Sequence, residues 1–428
     1  MNLKDPKLET ARQLIREWCN ENYNFGFNPD NPAVRLHEPT FGGDEINAAL
    51  DVMLSTYVTM GEKSRRFEQT FAKMHHFGHG VLVNSGSSAN LLAIAALANK
   101  EYSNALKPGD EVIVPALSWS TTVWPLIQLG LVPVVVDIDP DTMNIDPNEI
   151  ERAISPQTRG VMPVHVYGNP CDMQAITSIC ENHNLTLIED CCEALGAEYD
   201  KQPVGSFGVV GTFSFYYSHH MTMLEGGICT SNDFELAELM RILRAHGWVR
   251  ETQERRNYES NYPDIDPKFL FVNLGYNLRA TELQGAFGNV QLPKLAALVE
   301  ARRASAKKWL EELEPWADYL NVQQETPNSK SSWFGLPTTV NKDAPFSAAD
   351  IREHLKLANI ETRPIICGNI ARQPAIKRYE HRVVGDMQHA DHVMDNGFTF
   401  GNHHAIDDAA HDYVINALAD FFDRQGLQ

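Results

Sequence analysis

Between residues 80 and 230 of this 428-residue chain, short apolar runs alternate with stretches of helical period. Runs rich in Val, Ile and Leu predict strands at residues 81–84, 111–115, 133–138, 160–166, 186–190, 211–215 and 227–230. Between the first two, residues 89–98 are apolar on nearly every side, as a helix buried against a sheet must be. Strands that are apolar throughout, rather than alternating, belong to a parallel sheet covered on both faces. The pattern therefore predicts an α/β fold with a mainly parallel seven-stranded sheet and helices on both faces. In such folds ligands collect at the carboxyl ends of the strands.

After about residue 290 the pattern changes. A long polar helix over 292–313 is followed by a strand at 333–340 and a helix at 348–358 announced by Ser347. An extended segment at 360–364 and a last helix at 407–422 complete a smaller α+β unit. The expected organisation is an N-terminal extension (1–30) that opens with a polar helix, a large domain (31–290) and a small C-terminal domain (291–428). No internal repeat or low-complexity tract interrupts it.

Composition narrows the function classes. Hydrophobic residues at 43% and charged residues at 21% describe an ordinary globular protein. With 36 Lys+Arg against 56 Asp+Glu, the formal net charge is −20, the wrong sign for a phosphate-backbone binder, so no nucleic-acid partner is expected. No apolar window reaches membrane-spanning length, and the first residues carry charge without an apolar core. Neither a membrane partner nor a secretory signal is expected. Seven irregularly spaced cysteines without a CxxC pair point to reduced thiols in the cytoplasm and to no metal site.

Four segments carry candidate chemistry, each with a bland alternative. Asn84-Ser85-Gly86-Ser87-Ser88-Ala89-Asn90 follows a strand and opens an apolar helix; it reads as a phosphate cradle or as a plain serine-rich cap. It lacks the lysine of a nucleotide-hydrolysing loop and the GxGxxG of dinucleotide binders. Asp190, at the tip of an apolar strand, either holds a protonated ring nitrogen or caps the next helix. Trp119, in a polar loop after another strand, either stacks on a ring or packs at an edge. The fourth segment, residues 211–227, runs from a strand through Ser214 into an aromatic loop with His219 and His220. Adjacent residues cannot readily face one ligand, so one histidine at most is expected to work.

Taken together and in order, these segments resemble the fold-type I vitamin-B6 enzymes of the DegT/StrS-like sugar aminotransferase family. NSGSSAN resembles the family's phosphate loop, PALSWSTT its ring-stacking segment and EDCCEALGA the segment that carries the pyridinium aspartate. Gly275-Tyr276-Asn277-Leu278-Arg279 resembles the GYN-x-R segment that reaches into a neighbouring subunit's site. One departure is informative. Where the family reads S-F-x-x-x-K, with the lysine tethering pyridoxal phosphate, the same offset from Ser214-Phe215 lands on His219. Imidazole cannot form a stable imine, so covalent tethering is lost.

The loop FYYSHHMTMLEGG is also similar to that of the 3-dehydratases of nucleotide-linked 4-keto-6-deoxy sugars, which share the Lys-to-His change. One branch inserts an iron–sulfur segment after a stretch like Arg244–Arg250. Here residues 251–275 contain no cysteine, so no cluster is expected and the resemblance favours the cluster-free branch acting on GDP-4-keto-6-deoxymannose. TMGEK at 59–63, SSWFG at 331–335, RPI-x-x-GN at 363–369 and GNH at 401–403 point the same way. The resemblance implies pyridoxal phosphate converted by L-glutamate to the pyridoxamine form, His219 as acid and base, and ammonia as a product. It implies that Gly86, Ser87 and Ser214 bind the cofactor phosphate, Trp119 stacks on the ring, Asp190 faces its nitrogen and Glu193 touches its substituents. Asn277 is expected to act in the partner's site, making a homodimer with shared active sites, with His246, Arg250 and Arg279 as weaker substrate-binding candidates. Cys191 and Cys192 read as packing residues, and His403 and His404 either line the substrate entrance or, the favoured reading, form a solvated turn. Two other outcomes stay open: a sugar-nucleotide aminotransferase, or a non-catalytic relative that binds sugar nucleotides.

Overall fold

The computed structural model describes residues 5–427. The large sheet is built from β1 (His79–Val83), β2 (Glu111–Pro115), β3 (Val132–Val136), β4 (Thr158–Val161), β5 (Thr186–Asp190), β6 (Val210–Ser214) and β7 (Gly227–Ser231). All seven expected strands form, although β4 ends at Val161 rather than 166. Strand β6 pairs parallel with β5, and β5, β4, β2 and β3 follow in parallel order, whereas β7 runs antiparallel between β1 and β6. Every strand except β7 therefore points its carboxyl end at the same edge. The Gly86–Leu97 helix, buried along almost its whole length, starts where β1 stops; Ser85 caps it by accepting the Ser88 N–H. Uniform apolarity suits that helix because the sheet covers one side and further helices the other.

The structure corrects the strand count. After β8 (Leu320–Val322), β9 (Thr338–Val340) and β10 (Thr362–Arg363) comes β11 (Arg382–Val384), which joins the edge of the large sheet beside β3 as its eighth strand. Three residues long and set among polar neighbours, β11 has no hydrophobic run to announce it. Arg382 secures it by a two-pronged contact with Glu111 at 2.8 and 2.9 Å. The expected strand at 333–340 shrinks to β9, because Trp333 adopts φ +46° and residues 333–337 form a loop.

Strands β8, β9, β12 (Gly397–Phe400) and β10 form a second sheet, in the order β8-β9-β12-β10. With the Leu295–Leu313, Ala348–Leu357 and Asp408–Arg424 helices it encloses a second core around Trp309, Phe398, Phe400 and Phe422. Val34 packs into that core and β11 into the large sheet, so two segments cross the division expected at residue 290. The Pro6–Asn22 helix is held to the Gly43–Ser55 helix by Arg12–Asp51 and Arg16–Asp44 ion pairs. Among the described residues no helix is long and apolar enough to cross a membrane.

Candidate active site

A cavity of about 340 Å³ opens at the carboxyl edge of the large sheet, lined by residues that follow β1, β2, β5 and β6. Seven of the expected site residues meet in it: Gly86, Ser87, Trp119, Asp190, Glu193, Ser214 and His219. Gly86 is required by a close approach. A Cβ there would lie 2.5 Å from Ser214 Cβ and 3.1 Å from Cys192 Sγ, so only glycine lets the helix start and the end of β6 meet. The result is a helix N-terminus flanked by the hydroxyls of Ser87 and Ser214, the natural seat for a phosphate. Ser87 Oγ is fixed by a 3.1 Å hydrogen bond to Thr121.

Asp190, 3% exposed, is held by three donors. Its Oδ2 accepts from Asn90 Nδ2 and from Thr122 Oγ1, both at 2.8 Å, and its Oδ1 accepts the Cys192 N–H at 3.1 Å. Thr212 Oγ1 in turn donates to Asn90 Oδ1 at 2.6 Å, which orients the amide. These donors satisfy both oxygens of the buried side chain. Behind it, Glu189 accepts the N–H groups of Gly205, Phe207 and Gly208, each at 2.7 Å, and faces His165 Nε2 at 3.3 Å. That buried set, of which Cys191 is a close neighbour, anchors the strand that presents Asp190.

His219 stands in the loop after β6, its N–H donating to the Tyr216 carbonyl at 3.0 Å and its ring 5.0 Å from that of Phe334. Burial, then the charges of Arg302 and Arg363, push its imidazole down to about 3, so the ring is neutral and basic in form. Its Nδ1 has no hydrogen-bond partner. His220 turns the other way and meets the Ser332 carbonyl at 3.0 Å, fully buried; only one of the two histidines faces the cavity. Glu193 accepts the Tyr167 N–H at 3.0 Å, and burial pushes its carboxyl up to about 7. Cys192 also lines the cavity, but burial and the charge of Asp190 hold its thiol protonated. The indole of Trp119 is 57% exposed and forms part of the lining, a flat surface open to a ring. A planar, phosphorylated heterocycle with a protonated nitrogen fits these residues: an anion seat, an aromatic face and a buried carboxylate.

The remaining candidates do not line this cavity. His246, Asn277 and Arg279 form a separate cluster, with Arg279 Nε donating to Asn277 Oδ1 at 3.0 Å and Nη2 3.3 Å from His246 Nε2. Arg250 lies with its guanidinium carbon 5.2 Å from the Trp248 ring centroid. The 244–250 and 275–279 segments meet backbone to backbone, since a Cβ on Gly275 would lie 2.2 Å from the Gly247 nitrogen. His403 is not on a solvated turn: it is 2% exposed, with Nε2 3.1 Å from the Arg35 carbonyl. Sequence reasoning missed the supports of Asp190, and it gave no site role to Phe334 and Arg363, which arrive from the C-terminal third within the SSWFG and RPI-x-x-GN segments. Asn90 and Thr122 lie inside motifs already singled out, four residues into one helix and three past Trp119. No local pattern ties Phe334 or Arg363 to the strands.

The chain matches the DegT/DnrJ/EryC1/StrS aminotransferase family model over residues 39–419. It is 40% identical over 372 residues to the GDP-4-keto-6-deoxy-D-mannose 3-dehydratase of Yersinia pseudotuberculosis, covering 86% of this chain and 93% of that protein. To the dTDP-4-dehydro-2,6-dideoxy-D-glucose 3-dehydratase of Saccharopolyspora spinosa it is 36% identical, over 98% of this chain and 92% of the relative. The solved structure of the E. coli GDP-4-keto-6-deoxy-D-mannose 3-dehydratase with bound hydrated PLP is similar at a TM-score of 0.84 and 37% identity. That match covers 90% of this chain and 99% of the other. With the strand edge, the cradle and the buried aspartate in place, the chain belongs to the DegT/DnrJ/EryC1/StrS family of fold-type I enzymes.

Proposed function

We propose that this protein is a 3-dehydratase of a nucleotide-linked 4-keto-6-deoxyhexose that takes its reducing equivalents from L-glutamate. The observation that carries the reading is His219, a neutral imidazole in the cavity at the offset from Ser214-Phe215 where the family reads lysine. Two relatives of 40% and 36% identity are named as sugar-nucleotide 3-dehydratases, which supports it. GDP-4-keto-6-deoxymannose is the substrate that the first of these favours.

Pyridoxamine phosphate, formed from pyridoxal phosphate, supplies an amine for the sugar ketone and a ring able to store an electron pair. The protein does the rest. Gly86, Ser87 and Ser214 hold the phosphate at the helix N-terminus, and Trp119 covers the ring. Asp190 keeps the ring nitrogen protonated, and Glu193 contacts the ring substituents. His219, neutral and unpartnered at Nδ1, takes a proton from carbon and returns it to the departing hydroxyl at sugar carbon 3. In the net exchange glutamate becomes 2-oxoglutarate and ammonia, while the CHOH at carbon 3 becomes CH2. The oxygen gained by the amino acid skeleton equals the oxygen lost by the sugar.

The working unit is a homodimer in which Asn277 of the partner subunit completes the phosphate site. Supporting this, Leu274 is 93% exposed and Phe269 and Phe271 more than half exposed beside that segment, an apolar face suited to a second copy. Sedimentation of the active species as a monomer would overturn it. Seven free cysteines support a cytoplasmic location, where thiols stay reduced. The deciding assay incubates protein, pyridoxal phosphate, glutamate and GDP-4-keto-6-deoxymannose. Equal amounts of ammonia and a 3,6-dideoxy product are expected, and a 4-amino sugar without ammonia sinks the reading.

A further inference from the structure

Arg302, on the Leu295–Leu313 helix of the C-terminal core, is 3% exposed and does not line the cofactor cavity. A guanidinium is costly to bury without a carboxylate. Among the described residues this one meets none: it donates to the Phe334 carbonyl at 2.9 Å and to the Asn402 carbonyl. Burial, with no acidic neighbour to oppose it, lowers it to about 10, so it stays charged at neutral pH. The bond to Phe334 fastens the loop at 333–337. Asn402 completes the clamp, its Nδ2 donating to the Trp333 carbonyl at 2.8 Å and back to the Arg302 carbonyl at 3.3 Å. Trp333 needs the clamp, because its φ of +46° is strained for a bulky residue.

Held in this way, the Phe334 ring has three neighbours. The Arg302 guanidinium carbon lies 5.7 Å from its centroid, the His219 ring 5.0 Å and the His220 ring 5.8 Å. One phenyl ring thus joins a buried cation to the imidazole of the cavity, in surroundings that screen charge poorly. Other elements also face His219: Arg363 from β10 is a second cation, and His37 and His220 are imidazoles. Asp190, Glu193 and Glu225 line the same cavity. After burial itself, the Arg302 charge is the largest influence against protonation of His219, and equally of His37, His220, His403 and His404. A proton taken up beside a fixed cation makes the imidazolium a strong acid, ready to protonate a departing hydroxyl. Without the cation the same ring is a stronger base and a weaker acid.

We infer that Arg302 is a positioning residue for the proton-transfer step: clamped to the 333–337 loop, it sets Phe334 against His219 and keeps that imidazole uncharged until it takes the proton of the reaction. The inference rests on His219 being the acid and base. Its first test needs neither cofactor nor turnover. The imidazole signals of the full chain, labelled in histidine, are followed by NMR between about pH 5 and pH 8, with His219→Asn identifying the residue. Native His219 is expected to stay neutral throughout. Arg302→Gln keeps an amide donor and removes the charge, whereas Arg302→Lys keeps the charge. In the Gln variant His219 should begin to take up a proton at the acid end, its midpoint raised by about one pH unit or more, and in the Lys variant it should stay neutral. In turnover the Gln change should lower kcat for ammonia release about tenfold or more, with KM for the sugar nucleotide within about twofold, and Lys should recover kcat to within about threefold. A native His219 that titrates near its ordinary 6.5, or coincident titrations in native and Gln chains, overturns the inference. Equal loss of kcat in the Gln and Lys variants overturns it too, and leaves Arg302 a packing role. The native titration needs no variant, so it can refute the inference even if the Gln chain does not fold. Failure of the dehydratase reading shows separately, as no ammonia from the native protein while the native and Gln titrations still differ.

Discussion

On the floor of the cavity both oxygens of Asp190 have donors, and Glu189 behind it takes three backbone N–H groups and faces His165. Across the cavity, among the described residues, His219 Nδ1 has no hydrogen-bond partner, and the nearby Arg302 bonds only to backbone carbonyls. The two walls answer different needs. A charge that must stay fixed through a reaction is served by dipoles oriented in advance, so that nothing reorganises when the ring nitrogen binds its proton. A group that must gain and lose a proton, or a wall that must accept a ligand, needs valences left open. The saturated wall hangs on the sheet, and the open wall on the loop after β6 and on segments from the C-terminal core. Rigidity and unfilled capacity thus come from different parts of the chain.

The largest effect that can break this comparison is expected from His219→Lys, which restores the family's amine in the open wall. The cofactor should then remain with the chain through exhaustive dialysis, and ammonia release should fall about 1,000-fold. Near-native ammonia release, or a cofactor lost as readily as from the native protein, places proton transfer on another residue.

The saturated wall is tested next. Asp190→Asn keeps the shape but removes the charge, and turns one acceptor into a donor facing Asn90 and Thr122 or the Cys192 N–H. Formation of 2-oxoglutarate from glutamate should fall about 100-fold or more. Thr122→Val removes a single donor at nearly equal volume and should cost about tenfold. If Thr122→Val is as damaging as Asp190→Asn, the network rather than the charge is what matters, and the floor is not the fixed-charge device described above.

The two walls were unequally legible in the sequence. Asp190, Trp119 and the Ser85–Ser88 turn sit at strand ends, where hydrophobic periodicity marks the strand and the first polar residues beyond it mark the site. The supports Asn90 and Thr122 were within reach of the same logic, since a buried carboxylate needs donors from the neighbouring helix starts. Phe334 and Arg363 were marked by resemblance alone, with no role in the site, and Tyr167 was not legible. Their placement depends on the loop at 333–337 folding back over the sheet edge, on positive φ at Tyr167 and Trp333, and on β10 pairing with β12. None of these leaves a periodic trace. Likewise β11 is three residues whose pairing is decided by Arg382 and Glu111, 271 positions apart.

The smallest expected effect sharpens the comparison where the walls meet, at Glu193. Burial and the charge of Asp190 raise its carboxyl, while the Tyr167 N–H and Arg363 lower it, and the balance stands at about 7. The unfolded chain releases this proton near the ordinary carboxyl value of 4.5. Between these values the folded state binds more protons than the unfolded one, so this group's contribution to stability falls as pH rises from about 4.5 to about 7. Glu193→Gln removes that slope. In the cofactor-free chain the variant should gain on the native protein by about 2 kcal/mol, a few degrees in melting temperature, between pH 5 and pH 8. Parallel melting curves at both pH values would show that Glu193 is already ionised in the folded chain, and so belongs with the fixed charges of the floor rather than with the proton-holding wall of His219.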